Sequence, residues 1–361
     1  MVTLKKILTR TCVVIFWTAT IFAFLYTSEL SRFFEEKKSI NICIWSGVID
    51  PKIIDQFEKE SGIKVNMSYF DGNEELLVKL LATRGEGYDM VAPSDYVCEF
   101  LIKHNLLLKL DTSQLNFWGN INPHFLGHYF DPKNEYTVPS EWYVLGLGIR
   151  KDYCKNNELP VPSWSLIFDP ACMFGRIGLI NDSRELAGLA MKYLYKEIRE
   201  VTPQEVAELR NLLVAQKKHV EAYTDFRGDF LLESGNCSLV VVSNSFIWRT
   251  LEKCDHIAFL MPQEGPILNM ENYVIPAVSR KADLVYQFLN FLFRLDIQEY
   301  NFNEKALLST RKDAHFLFEN EWLKQSTIFV HPDNPQRLEL FRNVLTDDQI
   351  DEIWLSVKGL L

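Results

Sequence analysis

The sequence predicts an α/β protein built from two lobes, and three observations carry that prediction. Short Ile- and Val-rich runs alternate with segments of helical period, the pattern of a mostly parallel sheet covered by helices. At 361 residues the chain is long for one core and better suited to two. Its composition, 47% hydrophobic and 24% charged, is that of an ordinary soluble globular protein, with no repeat or low-complexity tract.

The first 28 residues read as a leader. Lys5, Lys6 and Arg10 precede an apolar run from Cys12 to Tyr26, a basic stretch followed by a hydrophobic one as in secretory signals. Fifteen residues give roughly 22 Å of helix, short of a ~30 Å bilayer core. Export is expected. No Ala-x-Ala cleavage pattern is present, because the candidate site before Glu29 puts Tyr26 at its third position back. An uncleaved leader would tether the protein through residues 12–26, and residues 29–39 would serve as a linker.

Residues 40–96 then read strand, helix, strand, helix, strand. Ile40–Trp45 is an apolar strand; Asp50 caps a helix with Pro51 in its first turn, and Gly62 ends it. Ile63–Tyr69 alternates like a strand, and Tyr88–Ala92 is a third. Between them, Asn73–Thr83 is a helix with Leu76, Leu77, Leu80 and Leu81 inward. In open α/β sheets ligands bind beyond the carboxyl ends of strands, where Trp45-Ser46 and Ser94-Tyr96 fall. Further on, helix is expected for Asp95–Asn105, strand for Trp142–Arg150 and for Arg176–Ile180, and helix from Ser183 or Arg184 with Leu186, Leu189, Ala190, Tyr193 and Leu194 inward. Thr202-Pro-Gln-Glu205 is a capping box opening a helix to Gln216. Ser238–Val242 and Ile257–Met261 are strands, Ala282–Leu295 an apolar helix, and Gln336–Lys358 a helical tail. The expected division is a first lobe at 40–145, a second at 146–272, a return at 273–320 and a C-terminal segment at 321–361 packing on the second lobe. Segments crossing between lobes would act as a hinge.

Charge and motifs narrow the function. Net charge is −10, and residues 29–361 carry 35 Lys and Arg against 48 Asp and Glu, or −13. That sign disfavours nucleic acid and suits a cationic ligand. Of seven cysteines, Cys12 lies in the leader and the other six form no Cys-x-x-Cys; Cys43 and Cys237 suit a core. His124 and His128 are four apart, but no third ligand or His-Glu-x-x-His accompanies them, so no metal site is expected. There is no Gly-x-Ser-x-Gly, no P-loop, and only Gly146-Leu-Gly148 of a dinucleotide motif, so neither an enzyme nor a cofactor is expected.

The wording Trp45-Ser46, Phe57–Val65, Asn73-Glu74 and Tyr88–Tyr96 resembles the bacterial periplasmic spermidine/putrescine-binding proteins, the substrate-binding components of polyamine ABC importers. The resemblance continues through Phe130–Asn134, Pro139-x-x-Trp142, Asn181–Glu185, Pro262-x-Glu264-Gly265 and Phe288–Leu292, covering residues 40 to 355. It implies a type II periplasmic-binding-protein-like fold, with two α/β lobes and a ligand cleft between them. It further implies a periplasmic, monomeric protein that hands a polyamine to an inner-membrane permease. Residue by residue, it assigns Asp182 and Glu185 to ammonium groups and Glu271 to another, one methylene longer than the family's Asp. Trp45 with Ser46 and Ser94 with Tyr96 become aromatic walls and hydroxyl donors, and Trp142 a hinge or wall residue. Without the resemblance, Asp182 and Glu185 read first as helix-terminus partners, capping and stabilising that N-terminus. Aromatics that the family carries are replaced by Val48, by Val242 or Ser243, by Asn269 and by Leu307. Trp248 could refill part of that space, but its helical phase favours burial or an outward direction. Alternatives are the same fold holding another small solute, or a tethered sensor that transports nothing.

Overall fold

The computed structural model describes residues 15–18, 20–21, 39–154, 158–172, 176–224, 228–314 and 339–359. The expectations for the leader and for residues 29–38 fall almost wholly outside them. Residues 15–18 are helical, and no helix among the described residues is long and apolar enough to cross a membrane.

In chain order the elements are β1 (Ser39–Trp45), α1 (Pro51–Ser61), β2 (Lys64–Phe70), α2 (Asn73–Thr83), β3 (Met90–Val91), α3 (Asp95–Lys103), β4 (Thr137–Arg150), α4 (Ser165–Phe168) and β5 (Ile177–Ile180). Then follow α5 (Ser183–Tyr195), α6 (Pro203–Gln216), β6 (Val220–Thr224), α7 (Gly228–Glu233), β7 (Leu239–Ser243), α8 (Asn244–Lys253), β8 (Ile257–Leu260) and β9 (Ile267–Val274). The chain closes with α9 (Ala282–Leu292), α10 (Leu295–Lys305), β10 (Leu308–Ser309), β11 (Glu339–Leu340) and α11 (Asp347–Lys358).

One sheet runs β2-β1-β3-β9-β4-β7-β5-β6. It has two parallel wings, β2-β1-β3 and β7-β5-β6, joined by the antiparallel pair β4 and β9. The register explains where a cleft must lie. Val91, in β3, pairs with Val274, which stands opposite Thr137 at the start of β4. Ser243, at the end of β7, pairs with Leu145. The wings therefore point the carboxyl ends of their strands at each other, and those ends converge on residues Ser140–Val144 of β4. Among the described residues the two wings are joined through β4 and β9, the arrangement expected of a hinged two-lobed α/β protein.

Local chemistry accounts for the elements. Asp50 accepts from the Lys52 amide, and Gly62 closes α1 at φ 71°, a conformation in which a side chain is strained. The capping box at Thr202 and Glu205 forms as read, with both reciprocal bonds. Gly146 and Gly148 need no ligand to explain them: a Cβ on Gly148 would lie 2.7 Å from Ile247 and Leu232, and one on Gly146 would collide with Phe259. The six described cysteines are all free thiols; Cys43, Cys98 and Cys237 are buried.

Several expectations are corrected. Leu81 and Leu194 face outward, at 49% and 36% exposed, because α2 and α5 each bury a narrower stripe. Strand β4 begins at Thr137, not Trp142: Pro139 falls at a register shift, where a missing N–H is tolerated. The last helix starts at Asp347, where Thr346 and Gln349 form a second capping box. Leu340 instead belongs to β11, paired with Leu268. Helix α11 lies on α5 and α6, with Arg184 bonded to Asp347 at 2.7 Å and Arg210 paired with Glu352. His124 lies in a 3-10 turn rather than on a helical face, and His128 bonds its carbonyl.

Candidate functional site

The site grows from strand ends. Trp45 closes β1, and its indole Nε1–H donates to Glu271 Oε2 at 2.9 Å. Ser94 occupies the cap position of α3 but makes no cap bond. Its hydroxyl donates instead to Glu271 Oε1 at 2.9 Å and accepts from Asn73 Nδ2 at 3.1 Å. A serine at a helix start ordinarily satisfies a helix amide, so this one is diverted to hold a carboxylate. Glu271, in the middle of β9, is 5% exposed. Burial pushes its carboxyl up to about 7 even though both donors favour the charged form.

The opposite wing supplies a second acidic group. Asp182 lies two residues past β5 and caps α5, accepting from the Arg184 and Glu185 amides at 2.9 Å each. Tyr96, on α3 of the first wing, donates its hydroxyl to Asp182 Oδ2 at 3.2 Å, so this bond spans the cleft. Glu185, one turn into α5, is 3% exposed, and its Oε2 meets no partner. Burial, followed by repulsion from Asp182, Asp95 and Glu271, drives its carboxyl well above the usual range. Asp182 is raised too, by burial and by Glu74 across the gap, against its backbone bonds.

Asp95 belongs to the same cluster. It is fully buried at the start of α3; one oxygen accepts from the Tyr96 amide at 2.7 Å and the other meets no partner. Burial raises it far above a normal aspartate, and Glu271 and Asp182 add to that. Among the described residues, no Lys, Arg or His forms a salt bridge with Asp95, Asp182, Glu185, Glu271 or Glu141. Arg184 lies over the Tyr96 ring at 5.8 Å but spends its guanidinium on Asn343 and Asp347.

Beside Glu271 opens a cavity of about 110 Å³, walled by Trp45, Tyr143, Phe246 and Leu307 and reached by Glu141 and Ser46. It is apolar on most sides, with two carboxylates at one edge. Trp142 is buried at its margin, its indole donating to the Ser309 carbonyl at 3.2 Å.

The structure thus brings together all seven residues singled out in the sequence. Trp45, Ser46 and Glu271 sit at the cavity, Ser94 holds Glu271, and Tyr96, Asp182 and Glu185 close the cleft from both wings. Sequence reasoning missed four neighbours: Asp95, Glu141, Tyr143 and Phe246. A charged Glu141 in an otherwise apolar strand was the available signal for one of them. Phe246 is 46% exposed and supplies the aromatic wall on the second wing; Trp248 instead packs edge-on to Phe302 and leaves the cleft. Among the described residues no three His, Cys, Asp or Glu side chains are grouped to hold a metal ion.

Comparison with known proteins places this architecture. The family described as bacterial extracellular solute-binding protein matches residues 52–329. The spermidine/putrescine-binding periplasmic protein of Escherichia coli is 28% identical over 253 residues, which is 70% of this chain and 72% of that one. The putrescine-binding periplasmic protein PotF of the same organism is 27% identical over 344 residues, 90% of this chain and 92% of its own length. Among solved structures, the spermidine/putrescine ABC transporter substrate-binding protein PotD of Streptococcus pneumoniae superposes with a TM-score of 0.74 at 26% identity. That match covers 89% of this chain and 99% of the other.

Proposed function

The chain belongs to the bacterial extracellular solute-binding proteins, and from that premise we propose that it captures a linear polyamine in the interlobe cleft and delivers it to an ABC import permease. It is a binding protein, not an enzyme. The observation that carries the reading is the set of buried carboxylates brought together from both wings, with no salt-bridging cation among the described residues. Glu185 and Asp95 each retain a buried oxygen with no hydrogen-bond partner, and such groups are costly unless a guest completes them. A polyamine fits: its ammonium groups would meet Asp182 with Glu185 and, separately, Glu271, while its methylenes lie against Trp45 and Phe246. Each charge-assisted bond contributes about 1.5–3 kcal/mol and each cation–π contact about 0.5–2 kcal/mol.

The division into a first lobe at 40–145 and 273–320 and a second at 146–272 is part of the proposal, as is work as a monomer in the periplasm. Two relatives named as periplasmic polyamine-binding proteins support that compartment. Tethering by residues 12–26 is the finer form of it.

Titration of the full chain with putrescine, cadaverine and spermidine by calorimetry tests the reading. Saturable heat with at least one is expected. Absence of heat with all three, in protein that unfolds cooperatively, overturns it and leaves a different solute for the same cleft.

A further inference from the structure

Two helix starts on the first wing forgo their side-chain caps. Helix α2 begins after Gly72, which has no side chain to offer, and Ser94 ahead of α3 makes no cap bond. Serine and asparagine ordinarily supply that bond, and a start left without one is less stable. Here Ser94 and Asn73, the first residue of α2, bond each other instead. Asn73 Nδ2 donates to Ser94 Oγ at 3.1 Å, and the Ser94 amide donates back to Asn73 Oδ1 at 3.4 Å. Both residues are buried, so little water competes for these bonds.

The hydroxyl's own capacity explains the exchange. A serine hydroxyl has one hydrogen and two lone pairs. Asn73 engages a lone pair, and the hydrogen points at Glu271 Oε1, 2.9 Å away. Released from Asn73, the same hydroxyl would turn to the first-turn amides of α3, where a serine in that position ordinarily accepts. Glu271 depends on the outcome. Burial pushes its carboxyl up to about 7, and the Ser94 bond is the larger of the two that oppose burial, ahead of the one from Trp45. The groups that feel its charge are Glu141 and Tyr143 from β4, Asp95 and Cys98 from α3, Glu185 from α5 and Tyr273 along β9, and none of them is basic. A carboxylate in that company relies on hydrogen-bond donors for its charge.

We propose that Asn73 is a positioning residue: it turns the Ser94 hydroxyl away from its own helix and onto Glu271, and so holds that carboxylate ready for an ammonium group. Asn73 does not wall the cavity, so it acts through Ser94. The inference rests on the polyamine reading above and extends the site by one residue behind its wall.

NMR of the side-chain carboxyl carbons, with Glu271 assigned through Glu271→Gln, follows its titration in the free full chain. The unaltered protein should titrate at about 7. Asn73→Leu, which keeps the side chain's shape and removes its N–H, should raise that midpoint by about half to one pH unit, the scale of one hydrogen bond to a charged group. Ser94→Ala should raise it as much, and the double variant no further, because both act on one bond. Asn73→Ala, which needs no extra room, gives the same reading should leucine prevent folding. In calorimetry with putrescine, Asn73→Leu should weaken affinity about fivefold at pH 7 and less than about twofold at pH 8.5, where the carboxyl ionises regardless. A purely structural tie between α2 and α3 would lower the unfolding midpoint and leave both pH profiles in place. That result, or a Glu271 midpoint moved by Ser94→Ala alone, overturns the proposal. If the unaltered chain binds neither putrescine nor spermidine while Glu271 shifts as stated, the polyamine reading falls and the action of Asn73 on Glu271 stands.

Discussion

Two helix starts in the second wing share one sequence pattern and put it to opposite uses. Helix α6 opens on Thr202 with Glu205 three residues later; α5 opens on Asp182 with Glu185 three residues later. At α6 the acid turns back on its own cap: Glu205 accepts from the Thr202 amide at 2.8 Å and pairs with Arg199 at 2.7 Å. It is ionised and solvated, held down to about 2 by Arg199 and then by the Thr202 amide. At α5 the cap residue does the capping alone, and Glu185 points away into the cleft, buried, with one oxygen unmatched. A carboxylate that closes a capping box is spent on its helix. One that is excluded from the box, and also from any ion pair, is left for a ligand. The pattern alone cannot separate the two; the neighbours do, Arg199 in one case and a ring of other acids in the other.

The largest effect that can break this contrast is on binding. Asp182→Asn and Glu185→Gln should each weaken polyamine affinity at least tenfold in calorimetry, while Glu205→Gln changes it less than about twofold. Equal, small effects at both helix starts would show that the α5 acids are structural like their α6 counterpart.

A second measurement sharpens the contrast through pH. Glu271 and Glu141 have folded-state values raised to about 7 and about 8. Their contribution to stability is fully present below the unfolded value of about 4.5 and is lost as pH rises through 7 to 8. Glu205 is depressed, so its contribution is present above about 4.5 and is lost as pH falls towards 2. Thermal unfolding of the free protein should therefore weaken on both flanks, and Glu205→Gln should remove part of the acid-side loss only. Added spermidine should restore stability mainly on the alkaline flank, and its affinity should rise from pH 6 to 8.5 as the cleft acids ionise. An affinity flat across that range would contradict the raised values.

The smallest effect concerns the caps themselves. Thr202→Ala should lower stability by about 1 kcal/mol, or roughly 2–4 °C in midpoint for a unit of this size, without touching affinity. Glu185→Gln, which replaces a repelled acid with a neutral amide, should raise the midpoint of the free protein at pH 8. Opposite signs at equivalent positions would be the clearest signature that one acid serves the fold and the other serves a guest.

Much of this was legible from the chain. Asp50, Gly62, Thr202 and the Ile-rich strands announce themselves because their signals are local: a cap, a left-handed turn, a run of buried side chains. Asp182 and Glu185 were legible only through family wording, since their local chemistry equals that of Thr202 and Glu205. Glu141 shows in the chain only as a charge in a largely apolar strand; its meaning depends on standing opposite Glu271, and register between residues 130 apart is a property of the folded sheet. Helical phase already argues against Trp248 refilling the cleft, and its ring is buried against Phe302; Phe246 carries no local signal that sets it apart. Leu340 fitted a helical stripe but pairs with a strand, a tertiary preference that overrides spacing.

The bond from Trp45 to Glu271 has a practical consequence. An indole whose N–H is held by an acid that a guest must contact will change its emission when the guest arrives, because the local field at the ring changes. The protein carries its own optical gauge at the cleft, and Trp45→Phe would remove it, leaving of the other seven tryptophans Trp142 as a second ring bordering the same cavity.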